Sequence, residues 1–357
     1  MTDNTLLVKD VLNGYRVDSE NIQSVGNMTV VPIISDQEFT NVANINEVKL
    51  SADRDYGELE FANHSGKLAI VIQGWTIIDG QHAQDRTVPY AQLIKAGTKL
   101  MPAKKGVPAN CVQAHQGGHF NVGAWEQENF MVLPPSLRSL AIKNSNYNRA
   151  EYNALWSSLR TWVKTMNCED SGLTHFYSKH RDTLDTFVAQ FEPVDKQLGA
   201  IVFINGELVA VDIMPKYETW KAMWRQMIRD SYGAEAIRLQ ENQGAQVTHP
   251  SIDVASVKTV SDLAKAFKET KDEFHNVLKR VISTVCDADM DYENLERIDE
   301  LSMLKVNNSD YTGQVVMHGD KHFVYASIVK SSMRSKPLVR FKSLRNDPYS
   351  DSGFSFN

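Results

Sequence analysis

GAIVFINGELVAVDIM (residues 199–214) consists of two apolar runs on either side of Asn205-Gly206. Asn-Gly suits the positive φ angles of a type I′ turn, so the stretch predicts a tight antiparallel hairpin, the clearest in the sequence. On its N-terminal side, Tyr152, Leu155, Trp156, Leu159, Trp162, Val163 and Met166 recur at i, i+3, i+4 and i+7, the spacing of one buried helix face. A second helix is expected over 173–191. On the C-terminal side, Trp220, Met223, Trp224, Met227 and Ile228 share a face in the same way. A polar loop is expected over 239–251, a long helix over 260–285, and a second hairpin over 313–328 around Gly319-Asp320. The aromatic and methionine stripes are read as core, not as a cofactor pocket.

The first 120 residues have a different texture. MTVVPIIS (28–35), INEVKL (45–50), GELEFAN (57–63), KLAIVI (67–72) and TVPYAQLI (87–94) are short runs rich in strand formers, with turn residues in most gaps. The expected fold is therefore α+β. A β-rich sandwich or partial barrel (1–120) leads through a crossing loop (121–147) to a helical part with two hairpins (148–330), packed as one unit, and then to a basic, aromatic tail (331–357).

Bulk properties exclude several classes. The chain has 357 residues, and 38 Lys plus Arg against 44 Asp plus Glu leave a net charge of −6. So mild an acidity gives no global electrostatic argument for nucleic acid or a membrane as partner. The three cysteines, Cys111, Cys168 and Cys286, form no CxxC pair, so neither a disulfide framework nor a structural zinc site is expected. MTDNTLLVKDVLNGYRVD lacks the basic start and apolar core of a secretory signal, and the longest apolar run (68–78) is too short to span a bilayer. A reducing, cytoplasmic setting is expected. Walker A, GxGxxG, HExxH and GxSxG motifs are absent from the sequence.

Polar chemistry concentrates in DGQHAQDR (79–86) and CVQAHQGGHF (111–120). Arg86 has the planar fork that holds a phosphate or carboxylate, Asp85 can orient it or act as a base, and Gln81, Gln84 and Gln113 can read the hydrogen-bonding edges of a ligand. Cys111 and His119 are the residue types of a nucleophile and its base. The blander alternative makes Asp85 and Arg86 turn and surface contacts and Cys111 a small buried hydrophobe. His82, His115 and His119 raise a metal site, but Gly117-Gly118 between the last two argues against helical pairing, and no metal or cofactor is expected.

These marks, in this order, resemble one family, the ARG and Rhodanese-Phosphatase-superfamily-associated Protein domain (ARPP). They are VVPI (30–33), NEV (46–48), an apolar strand ending near Gly74, then Gly80 with Gln84-Asp85-Arg86, and Pro108 with Cys111-Val112-Gln113. The hairpin at 199–212, SYGAEA (231–236) and the closing hairpin from Gly313 to His322 extend the resemblance over roughly 28–328. Against the family pattern, Gln113 stands where an acid follows Cys-Val, Gly118-His119-Phe120 stands where Gly-Arg-Trp is usual, and the spacing from Gly80 to Gln84 is looser. The resemblance implies, by association with ADP-ribosylglycohydrolases and related phosphatases, a role in NAD or ADP-ribose chemistry. A second reading is kept beside it. The acid missing at Gln113 and the basic tail (Lys330, Arg334, Lys336, Arg340, Lys342, Arg345) fit a non-enzymatic assembly protein, such as a conflict-system or viral component, that meets itself or a partner through 331–357.

Overall fold

The computed structural model describes residues 5–55, 57–78, 85–113, 130–149, 151–166, 168, 172–243, 257–319 and 322–331. Its first strands and helix are β1 (Thr5–Leu7), α1 (Val8–Val11), β2 (Arg16–Val17), β3 (Gln23–Val25) and β4 (Met28–Ile34). Next come β5 (Val48–Asp55), β6 (Glu58–Asn63), β7 (Ala69–Val71), β8 (Trp75–Ile77), β9 (Arg86–Thr87) and β10 (Gln92–Ile94). β11 (Ala103–Pro108), β12 (Asn110–Cys111) and β13 (Phe130–Val132) complete the β-rich region. Helices α2 (Pro135–Asn144), α3 (Trp156–Lys164), α4 (Leu173–Lys179) and α5 (Arg181–Gln190) lead to the hairpin β14 (Gln197–Ile204) and β15 (Glu207–Ile213). After it, α6 (Tyr217–Arg225) runs through a π-helical segment (Gln226–Gly233) into α7 (Ala234–Gln243). The chain closes with α8 (Val260–Cys286) and the strands β16 (Asp289–Ile298), β17 (Leu301–Asn307), β18 (Tyr311–His318) and β19 (His322–Lys330).

The fold is α+β, and its sheets are antiparallel and open, not closed into a barrel. Among the described residues the largest sheet has ten strands in the order β1-β16-β17-β18-β19-β15-β14-β4-β2, with β3 also on β4. The Asn205-Gly206 turn carries φ angles of 51° and 75°, so the hairpin forms as the dipeptide dictates. Its strands read as continuous apolar runs because both faces of the sheet are covered. Val30, Ala200 and Val202 belong to one buried cluster, while Val31, Ile201, Phe203 and Val211 belong to another on the opposite face. Smaller sheets, β11-β6-β5, β10-β7 and β12-β9-β8-β13, pack into the first of these clusters.

Several elements differ from the sequence expectation. Part of the expected crossing loop is ordered as β13 and α2, the helix starting with Pro135 at its first position, where a missing N–H costs nothing. The helix expected over 173–191 is two helices broken at His180. The polar loop expected from 239 is helical as far as Gln243, and β16 pairs with β17 in a hairpin the sequence did not reveal. Lys330, counted with the basic tail, lies inside β19 with only 4% exposure and pairs with Glu207 at 2.7 Å. Among the described residues no helix is long and apolar enough to cross a membrane.

Candidate functional site

The four-stranded sheet β12-β9-β8-β13 decides how the two polar segments relate. Its antiparallel register sets Cys111 opposite Arg86, Arg86 opposite Ile77, and Ile77 opposite Phe130. These residues form one row across the sheet, each strand about 4.8 Å from the next. The chain leaves β8 after Ile77 and re-enters β9 at Arg86; it leaves β12 after Cys111 and re-enters β13 at Phe130. Both polar connections therefore leave from and return to the same end of one sheet, the shorter nested inside the longer. Gln81, Gln84, His82, His115 and His119 belong to these connections and lie outside the described residues.

Asp85, Arg86, Cys111 and Gln113 come together at this rim. The Asp85 carbonyl accepts the Val112 N–H at 2.8 Å, and the Asp85 N–H faces Gln113 Oε1 at 3.5 Å. Thr174, at the start of α4, donates its hydroxyl to Asp85 Oδ2 at 2.9 Å, while Gln113 bridges to Gly172 just before that helix. Asp85 is 1% exposed and Arg86 and Cys111 are fully buried, so the acid and the arginine are interior charges and not surface contacts. Cys111 accepts the Gln113 N–H on Sγ at 3.4 Å and donates its thiol to the Gln113 carbonyl at 2.8 Å. Burial pushes the Cys111 thiol up, against smaller opposing effects of the Gln113 backbone N–H and the Trp156 side chain. A nucleophilic role would need a proton acceptor, and its expected partner His119 lies outside the described residues.

At the other end of the small sheet, where Gly74 leads into β8 and Leu133 follows β13, lies a polar network that the sequence did not suggest. Arg138 on α2 forks onto Asp212 of β15, Nη1 to Oδ1 at 2.7 Å and Nη2 to Oδ2 at 3.0 Å. Nη1 also reaches Ser327 Oγ at 2.7 Å, Nη2 reaches Ser231 Oγ at 3.3 Å, and Tyr232 donates to Asp212 Oδ2 at 2.7 Å. Burial lowers the proton affinity of Arg138 and the adjoining Asp212 carboxylate raises it, with the carboxylate prevailing. Gly74, at φ +74°, lets the chain entering β8 lie against this arginine, where a Cβ would meet Arg138 Cγ at 2.8 Å. The network thus joins α2, two strands of the large sheet and the π-helical segment at the Gly74 end of the small sheet. The sequence holds one hint of it, an aspartate inside the apolar run of β15, which does not by itself point to a partner.

Fold and rim together define an α+β protein whose large sheet is buried on both faces and carries a small polar-edged sheet on one of them. The ARG and Rhodanese-Phosphatase-superfamily-associated Protein domain matches residues 16–329, and the chain belongs to that family. The match runs from β2 into β19 and so takes in the rim and the Arg138 network. No curated protein and no solved structure matches the chain.

Proposed function

We propose that the rim binds an NAD- or ADP-ribose-like nucleotide. The observation that carries the reading is the row Cys111–Arg86–Ile77–Phe130, which gathers both polar connections at one end of one sheet. Arg86 holds the diphosphate, because a guanidinium in a low-dielectric interior attracts an oxyanion far more strongly than one in water. Gln113 and Gln84 meet the ribose or base through amide edges that both donate and accept. Asp85, whose carboxylate accepts the Thr174 hydroxyl, takes a proton from a ribose hydroxyl or a water if the ligand is turned over. The family's name supports this direction only through the company it records.

Titration calorimetry with ADP-ribose and NAD, accompanied by chromatography of the incubated ligand, tests the reading. Heat is expected with at least one of the two, and Arg86→Lys, which keeps the charge but loses the fork, should weaken binding by roughly tenfold or more. Gln113→Glu restores the acid of the family pattern and is expected to raise any turnover. No heat and no product with either ligand would end the proposal.

A further inference from the structure

Phe130, the last residue of the rim row, is also one wall of a cleft of about 630 Å³, lined further by Arg181, Asp185, Arg225, Gln226, Arg229 and Asp230. That volume is in the range of small-molecule sites. The lining comes from α5 and from the point where α6 passes into its π-helical segment. A π turn inserted in a helix is frequently found at functional sites.

The charges of the cleft are unevenly committed. Arg229 is tied into the fold, donating from Nε to Asp185 Oδ1 at 2.9 Å and from Nη1 to Asp230 Oδ1 at 2.7 Å. Arg225 gives Asp185 a single N–H, from Nη2 at 3.2 Å, and its side chain is 61% exposed. Arg181 has no ion-pair or hydrogen-bond partner among the described residues. Both carboxylates are therefore neutralised by Arg229 and Arg225, while Arg181 and most of the Arg225 fork face the cleft with their donors unspent. Beside them Gln226 Oε1 is buried without a hydrogen-bond partner. A buried acceptor left unmatched is costly, and a ligand O–H would satisfy it. Two guanidinium forks with donors to spare and one unmatched acceptor are complementary to an oxyanion with a hydroxyl close by.

We propose that this cleft binds a small phosphorylated polyol of the sugar-phosphate class, with Arg181 and Arg225 on the phosphate and Gln226 Oε1 accepting from a neighbouring hydroxyl. The site goes beyond the nucleotide reading of the rim and does not depend on it. Arg229, Asp185 and Asp230 hold the walls in place, and Phe130 closes the side next to the small sheet.

Calorimetric titration of the full chain with ribose 5-phosphate, inorganic phosphate and ribose, at matched ionic strength, tests the assignment. Ribose 5-phosphate is expected to bind, inorganic phosphate to bind more weakly, and ribose not to bind. Arg181→Gln and Arg225→Gln should each weaken ribose 5-phosphate by at least roughly tenfold. Gln226→Leu should bring ribose 5-phosphate down to the affinity of inorganic phosphate and leave the latter unchanged. Lys221→Gln, an exposed charge change on the same helix, should alter nothing, and thermal melts identify any variant that has lost its fold. Absence of ribose 5-phosphate binding, or equal binding by both arginine variants and the wild type, would overturn the proposal. A Gln226→Leu variant with wild-type affinity would overturn the ligand class. Nucleotide binding that survives the Arg181 and Arg225 changes but not Arg86→Lys would leave the rim reading standing while this one falls.

Discussion

Arg138 is fully buried, and its two Nη groups donate to Asp212, Ser327 and Ser231 at once, while its Nε has no hydrogen-bond partner among the described residues. Such a pair adds little net stability over apolar residues of the same shape, because desolvating two charges offsets their attraction. Removing one partner is different, since the other is left as an uncompensated interior charge. Arg138→Met should therefore destabilise the protein by about 3–5 kcal/mol, and Asp212→Leu added to it should recover most of the loss. Urea denaturation of the two variants checks this; a double variant no more stable than the single one would remove the ion pair as the cause. The same pair shows what a sequence reveals at this scale. Asp85 and Arg86 were legible as chemistry because two charges sit in one polar loop. Asp212 and Arg138 were not, because each stands alone in an apolar context and their partnership depends on a contact between elements far apart in the chain.

At the scale of elements, the helix carrying Trp220, Met223 and Trp224 was legible from its period, but its π-helical continuation was not. An extra residue in a turn leaves the composition unchanged and only shifts the phase of the turns beyond it. Within that segment Asp230 is 6% exposed, with its carbonyl accepting the Tyr177 hydroxyl at 2.7 Å. Burial raises its carboxyl to about 6, and the nearby Arg229 opposes that shift without cancelling it. The folded pKa lies above the unfolded one, so between about pH 4 and 6 the folded chain holds a proton that the unfolded chain has lost. Stability from this group is thus present at pH 4 and is lost as pH rises through 6, by up to about 3 kcal/mol. Asp230→Asn removes the titration. The variant should gain on the wild type as pH goes from 4 to 7, measured as the difference between their urea unfolding free energies. Parallel pH profiles would show that Asp230 does not titrate in this window.

At the scale of the molecule, composition separates a β-rich first third from a helical remainder; the first third is β-rich in the element order, while the remainder adds six strands to the large sheet beside its helices. What the contrast cannot convey is how the two parts share a sheet. β4 lies between β14 and the short strands β2 and β3, with Met28 opposite Ile204 and Ile34 opposite Gln197, while β1 pairs with β16. Pairings of such sequence separation leave no local period to read; the family resemblance, which spans both parts, was the one long-range signal available. The interleaving has a mechanical consequence. Cutting the chain between 147 and 148, where composition changes, would part β4 from β14 and leave each with an unpaired apolar edge. It would also split the larger buried cluster, in which Val30, Phe61 and Trp75 pack together with Ala200, Val202 and Tyr325. Neither fragment can then bury its share of apolar surface, and both present sheet edges open to aggregation. Residues 1–147 and 148–331 produced separately should each lack a cooperative urea transition, whereas co-expression should return a complex that unfolds in a single transition. A fragment that unfolds cooperatively by itself, with a denaturant dependence appropriate to its size, would mean that the shared sheet is not what holds the two parts together.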